Sequence, residues 1–477
     1  MLPLADDFPA PSRETWLALV EKTLKGDRFE DALVTRTPDG VAIEPLYTDA
    51  PAVFRNLAPR DPARPWDARC ATRHPDPARA NAEILDDLEN GAASALLTID
   101  PTGADGVAIG DQAGLARALE GVLLDLAPVA LDAGFLGPRA ADWLGALAKR
   151  GPEARLALHM DPLSAFATAG ASPGPIESHL VSAATVGARL AGVYPKASLM
   201  LASGRFAHEA GGSNTDELAV MAAAALAYAR ALVRAGLTMR EAFGRIVLGV
   251  SLDGEYFTGV AKVRAARAIW ARITQTCGVD APARFEARAS RRMLTRADAW
   301  TNLLRLTAAG FAGAVGGADA VVLGAFTDAL GLPTAFARRQ ARNTQLVLME
   351  ESHLGRVADP AGGAWYLDTL TDQLAAAAWG GFQAIEAAGG LAEALRTGVV
   401  AEAVNASSET QVIAYADKSR KILGVTAFPN ADDRPPEVET ADPAAFAVAA
   451  PDVHLPGPDS SCPPMPRVRF SAAFEEA

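Results

Sequence analysis

Three patterns are nearly missing from this chain of 477 residues, and each absence removes a class of protein. Cysteine occurs only as Cys70, Cys277 and Cys462, too few and too scattered to frame a disulfide-stapled fold or to build a metal site, so no metal is expected. No apolar run is long enough to span a bilayer, because the hydrophobic stretches are short or alanine-rich and broken by charge. Residues 1–15 lack both the basic start and the apolar segment of a secretory signal. Surplus positive charge is missing too: 44 Lys and Arg against 57 Asp and Glu give a formal charge of −13, which argues against a general nucleic-acid or anionic-membrane surface. What is there, a chain 50% hydrophobic and long enough to bury a large core, predicts a soluble, acidic, cytoplasmic protein of one large domain with extensions.

Short apolar runs recur between long amphipathic Ala/Leu/Arg segments, at 93–99, 128–131, 155–160, 198–202, 246–252, 284–289, 319–323 and 356–358. Eight strands alternating with helices close most simply into a parallel (β/α)8 TIM barrel, expected over residues 51–430. Five of the runs end at an aspartate: Asp100, Asp132, Asp161, Asp253 and Asp359. Such residues either form a polar active face at the strand C-termini or cap the helices and turns that follow, and capping alone selects Asp there. In the window 331–374, Thr334 is expected to cap a helix with Ala337, Ala341 and Leu348 on one face, ended by Gly355. Arg356–Ala358 then reads as a very short strand leading to the Gly362-Gly363 turn.

Two extensions flank the barrel. In residues 1–50, Pro11-Ser12 precedes a helix whose Trp16, Leu19, Val20 and Leu24 make one apolar stripe, followed by an extended Pro45-Leu46-Tyr47. The stripe must dock on the barrel or on a partner. Residues 431–477 carry many prolines and little periodic pattern, and read as a disordered linker or tail.

The stretches LPTAFARRQARNTQL and EESHLGRVADPAGGAWY, with WLALVEKTLKGDRFEDALVTRTPDGVAIEPLYT, GFQAIEAAGG and KILGVTAFPN, resemble the cobalamin-dependent acyl-CoA mutases, most closely the small-subunit (beta) chains of methylmalonyl-CoA mutase. The resemblance covers most of the chain. It implies a TIM barrel, an arm (Trp16, Leu19, Val20, Leu24) that binds a large catalytic subunit in a heterodimer, and adenosylcobalamin held by that large subunit. It also lets the family's chemistry be searched for residue by residue. The corrin-domain marker D-x-H-x-x-G has a formal match in Asp452, His454 and Gly457, but Pro456 and Pro458 deny it a strand-to-helix context, and only twenty residues follow Gly457 where a domain would need roughly a hundred. The match is read as chance, and the cobalamin-binding domain as absent. The catalytic pattern SGYHxQEAG is met by Ser203 to Gly211 with Arg205 at the tyrosine and Phe206 at the histidine, while His208 stands at the glutamine; a phenyl ring offers no hydrogen bond. The pattern RPWTIRQY is met from Arg64, with Ala71 at its tyrosine; Arg64 and Arg69 match CoA-contacting positions, and an arginine there could still hold a phosphate. The resemblance therefore implies a subunit of an isomerase that is itself non-catalytic. An active acyl-CoA mutase barrel of the isobutyryl-CoA mutase type, with its cobalamin domain on another chain, and a non-enzymatic assembly protein stay open as alternatives.

Overall fold

Eight parallel strands close a barrel in a computed structural model that describes residues 12–49, 51, 60–61, 63–148 and 155–475. In chain order they are β1 (Asp67–Thr72), β2 (Ser94–Thr98), β3 (Val129–Asp132), β4 (Ala157–Met160), β5 (Ser198–Ser203), β6 (Ile246–Leu252), β7 (Phe285–Ala289) and β8 (Ala320–Leu323), with β8 pairing back onto β1. Alternation along each strand divides the side chains between two environments. Leu97, Leu131, Ala287 and Val321 join the main core beneath the helices, whereas their neighbours Leu96, Ala130 and Val322 form, with Ala157, a separate small cluster inside the barrel. Side chains cap the helices that follow. Asp76 accepts from Ala78 N, Asp161 from Ser164 N and Thr334 from Ala337 N, and Ser213 and Asp216 form a reciprocal box at the start of helix Asn214–Arg234.

Seven of the eight apolar runs are strands. The eighth, 356–358, is not: these residues form bends, and the missing strand is β1, whose Asp67 and Arg69 project into the barrel and break any apolar run. The helix capped by Thr334 ends at Leu346 and passes into a π-helical turn, Val347–Glu351, before Gly355 is reached. Gly355 instead packs against Pro65 so closely that an added Cβ would lie 2.0 Å from the proline ring. Asp359 and Asp368 pair with Arg264 at 3.2 and 2.7 Å, so this turn is bound to the barrel's own helix Tyr256–Thr276.

The segment after residue 430 also departs from expectation, since it is packed rather than disordered. It crosses the C-terminal face of the barrel as a strap. Glu439 N donates to Leu332 O, Val448 N to Pro101 O, Leu455 N to Pro173 O and Met465 N to Ala167 O, and Ser460–Ser461 pairs antiparallel with Ala171–Ser172. Prolines suit such a strap, because an extended chain pinned at intervals needs few backbone donors. Cys462, Met465 and Phe470 are its buried anchors. At the other end, helix Arg13–Leu24 forms where the apolar stripe predicts it and is capped by Ser12, but none of its residues is fully buried: Trp16, Val20 and Leu24 are half-buried, Trp16 edge-on to Phe29 at 5.9 Å, and Leu19 is 62% exposed. The arm touches the barrel further on, where Asp39 accepts from Asn214 Nδ2 (2.9 Å) and Thr215 N (2.7 Å) and Tyr47 lies against Tyr366.

Candidate functional site

In a barrel of this kind, chemistry belongs at the C-terminal ends of the strands and any axial ligand in the lumen. Here charged side chains cross the lumen. Asp67 and Arg69 of β1 pair at 2.9 Å, Arg69 bonds Glu286 of β7, Glu286 accepts from Arg288 Nε at 2.6 Å, and Arg288 reaches Asp132 at the top of β3 at 2.6 Å. Ser94 ties the floor of this chain together, accepting from Arg69 Nε and donating to Asp67. Burial alone would raise Glu286, but Arg288 and Arg69 hold it well below the ordinary carboxylate value, so the network is ionic at neutral pH. His159 of β4 lies 3.6 Å from Glu286, yet burial, with Arg69 and Arg288 nearby, brings its imidazole down to about 4 and keeps it neutral. Together these residues form an ionic plug along the barrel axis.

The structure brings together Ala71, Arg205 and Phe206 above the plug. Ala71 lines a cavity of about 180 Å³ with Thr98, Asp132, Arg205, Arg288 and Arg291. Arg205 also lines an adjoining space of about 280 Å³, with Phe206, Ser164, Ser203, Met465 and Arg467. Strap residues roof it: Val468 N donates to Glu209 O at 2.8 Å, and Arg467 lies 3.5 Å from Glu209 and 3.9 Å from Asp105. His208 is fully buried and turned away from both cavities, with Nδ1 3.3 Å from Glu217 and Nε2 3.7 Å from Asp253; burial, Arg292 and Lys262 lower its pKa. It is a packed histidine and reaches neither cavity.

Arg64 and Arg69, expected to share a role, are separated. Arg69 is enclosed by its lumen partners and offers no free face to a phosphate. Arg64 sits outside at the opposite, N-terminal end, bonding Ala93 O at 2.9 Å beside a cleft that also contains Arg60, Arg155 and Arg267. Asp452, His454 and Gly457 lie on the strap. His454 is held 3.2 Å from Asp459, its backbone N donates to Asp452, and Gly457 packs on Pro175, so this stretch wraps the barrel flank and forms no pocket for a corrin. Of the strand-end aspartates, Asp100, Asp161 and Asp253 accept from backbone N–H groups of the following turns, while Asp132 serves the plug. Glu286, Arg288 and Arg467 escaped the sequence reading. Alternating charge in Asp67-Ala68-Arg69 and Glu286-Ala287-Arg288 is the signal that could have found the plug, since period two places both charges on one strand face.

Among the described residues no cluster of His, Cys, Asp and Glu could hold a metal ion, and no helix is long and apolar enough to cross a membrane. Comparison with known proteins agrees with the fold. The family model for methylmalonyl-CoA mutase matches residues 62–451. A methylmalonyl-CoA mutase small subunit of Streptomyces virginiae is 40% identical, with 100% of this chain and 77% of that protein aligned. The small subunit of Propionibacterium freudenreichii subsp. shermanii is 35% identical over 90% of this chain and 70% of its own length. A methylmalonyl-CoA mutase of Escherichia coli is 28% identical over 87% and 64%. By the extent of these matches and the barrel they fall on, this chain belongs to the methylmalonyl-CoA mutase family.

Proposed function

We propose that this chain is the non-catalytic small subunit of a cytoplasmic methylmalonyl-CoA mutase. Its large subunit would bind adenosylcobalamin and interconvert (R)-methylmalonyl-CoA and succinyl-CoA. The observation that carries this reading is the ionic plug from Asp67 to Asp132, which fills the barrel axis beneath a mouth where Ala71, Arg205 and Phe206 stand in place of two tyrosines and a histidine. Loss of one positioned hydrogen-bonding acid or base costs about 10²–10⁴ in rate. Asp452, His454 and Gly457 do not fit the cofactor, so no step of the reaction is assigned to this chain. Its part would be to hold the partner, and the incompletely covered stripe of Trp16, Val20 and Leu24, half-buried, with Leu19 exposed, supports the arm as the contact. Filling of the lumen weighs against an active barrel served by a separate cobalamin-binding chain.

The test is co-expression with and without the candidate large subunit, followed by an assay for adenosylcobalamin-dependent isomerisation. Turnover and corrin absorption are expected only in preparations containing the large chain, and the two chains should co-purify one to one. Turnover by this chain alone, or restored by adding only a cobalamin-binding chain, would overturn the reading. Co-purification that leaves the partner's turnover unchanged would point to an assembly role.

A further inference from the structure

Two guanidinium groups at the mouth of the barrel have N–H groups with no protein acceptor, and both border the same cavity. Arg205 follows β5; among the described residues its side chain meets no carboxylate, carbonyl or hydroxyl at bonding distance, and its Nε is shut off from solvent. Arg288 is 5% exposed and gives Nε to Glu286 and Nη1 to Asp132, but its Nη2 is buried without an acceptor. Burial and then the neighbouring Arg288 lower Arg205 to about 10, so it remains a cation at neutral pH. Arg205 is half-buried with no carboxylate at bonding distance, and Arg288 keeps one buried N–H without an acceptor beside its two carboxylates, so an anion between them would satisfy both and relieve their mutual repulsion.

We propose that the space between Arg205 and Arg288 is a binding site for a short-chain carboxylate monoanion. Shape and charge select that class. A guanidinium presents parallel N–H groups that match the two oxygens of a carboxylate. The cavity has apolar walls in Ala71, Leu96 and Val322 that suit a small alkyl group, and at about 180 Å³ it far exceeds the ~10–15 Å³ that one water requires. Asp105, Asp132 and Glu209 stand around the mouth, each already facing an arginine, and would repel a dianion such as phosphate. The adjoining space under Met465 and Arg467 adds the hydroxyls of Ser164, Thr168 and Ser203. None of this depends on the chain's being a small subunit, so the site and the subunit role stand or fall separately.

Trifluoroacetate is a suitable probe, with its fluorine NMR linewidth read against the full-length chain. Saturable broadening that acetate reverses is expected, while chloride and inorganic phosphate at equal ionic strength leave it in place. Arg205→Met should abolish the broadening and, by removing an unmatched cation, raise the melting temperature in acetate-free buffer; Arg189→Met, at an exposed pair on the barrel flank, should change neither. Should Arg205→Met fail to fold, Arg205→Lys keeps the charge without the planar fork and should weaken binding by about tenfold or more. Absence of broadening by the native chain, broadening undiminished in the Arg205 variants, or displacement by phosphate or chloride as effective as by acetate would each overturn the proposal.

Discussion

His159 combines two unusual states. Its φ of 45° places a non-glycine residue in the left-handed region at the register shift of β4, and its imidazole titrates near 4 because it is buried beside Arg69 and Arg288. An unfolded chain protonates this ring near its ordinary value of about 6.5, so between pH 6.5 and 4 the unfolded state binds the proton first and stability falls as the pH drops. Above that window the group contributes nothing. Its full penalty is on the order of 3 kcal/mol. Asp161, raised to about 6 by burial, works in the opposite sense, since its protonation in the folded state relieves strain as the pH falls from 6 toward 4. His159→Gln is therefore expected to flatten the acid limb of a plot of urea midpoint against pH and to leave the midpoint above pH 7 nearly unmoved. A second expectation concerns the mouth: the triple variant Ala71→Tyr, Arg205→Tyr, Phe206→His should still show no isomerisation in the isolated chain, because Arg69, Glu286 and Arg288 continue to fill the axis. At this scale the sequence was legible where a frame of known spacing located Ala71, Arg205 and Phe206. It was not legible at Arg69, whose side chain is committed to Glu286, a residue 217 positions away that no local pattern ties to it.

Among elements, β1 and the strap were misread for opposite reasons. β1 was missed because a lumen-facing strand that carries Asp67 and Arg69 has no apolar run, although Ala68 and Cys70 keep its outer face in the core. The strap reads as a disordered tail in the sequence because proline content hides periodicity, and its anchors Cys462, Met465 and Phe470 come singly. The other seven strands and the Thr334 cap were legible because burial on both faces and helix capping are local properties. Two outcomes follow for these elements. Glu286→Gln leaves Arg69 and Arg288 facing a neutral group across β1 and β7, and should cost about 3–5 kcal/mol in urea unfolding, as removal of one member of a buried ionic network does. Limited proteolysis of the full chain should leave residues 431–475 attached at doses that nick the arm; early release of a fragment beginning near residue 431 would show the strap to be loosely held.

At the scale of the whole molecule, the segments before and after the barrel are held to it very differently. The arm precedes it and leaves an apolar stripe incompletely covered, so Trp16→Ala, or deletion of residues 13–48, is expected to weaken association with the large chain while the circular dichroism of the barrel stays nearly constant. A permanent heterodimer of this size buries on the order of 2,000–5,000 Å², and aromatic anchors carry much of the energy. Parallel loss of the barrel's own signal would place the arm in this chain's core instead. The strap closes the other end, and Asp459 reaches Gly174 from 285 positions away. A contact across so long a loop pays its closure entropy only once the barrel beneath it is in place, so the strap is held by the barrel and not the reverse. In the folded protein the strap's bonds to Ala167 and Glu209 roof the spaces at the mouth, so exchange of whatever occupies them is tied to local release of the strap, and its rate reports how firmly Met465 and Val468 are held.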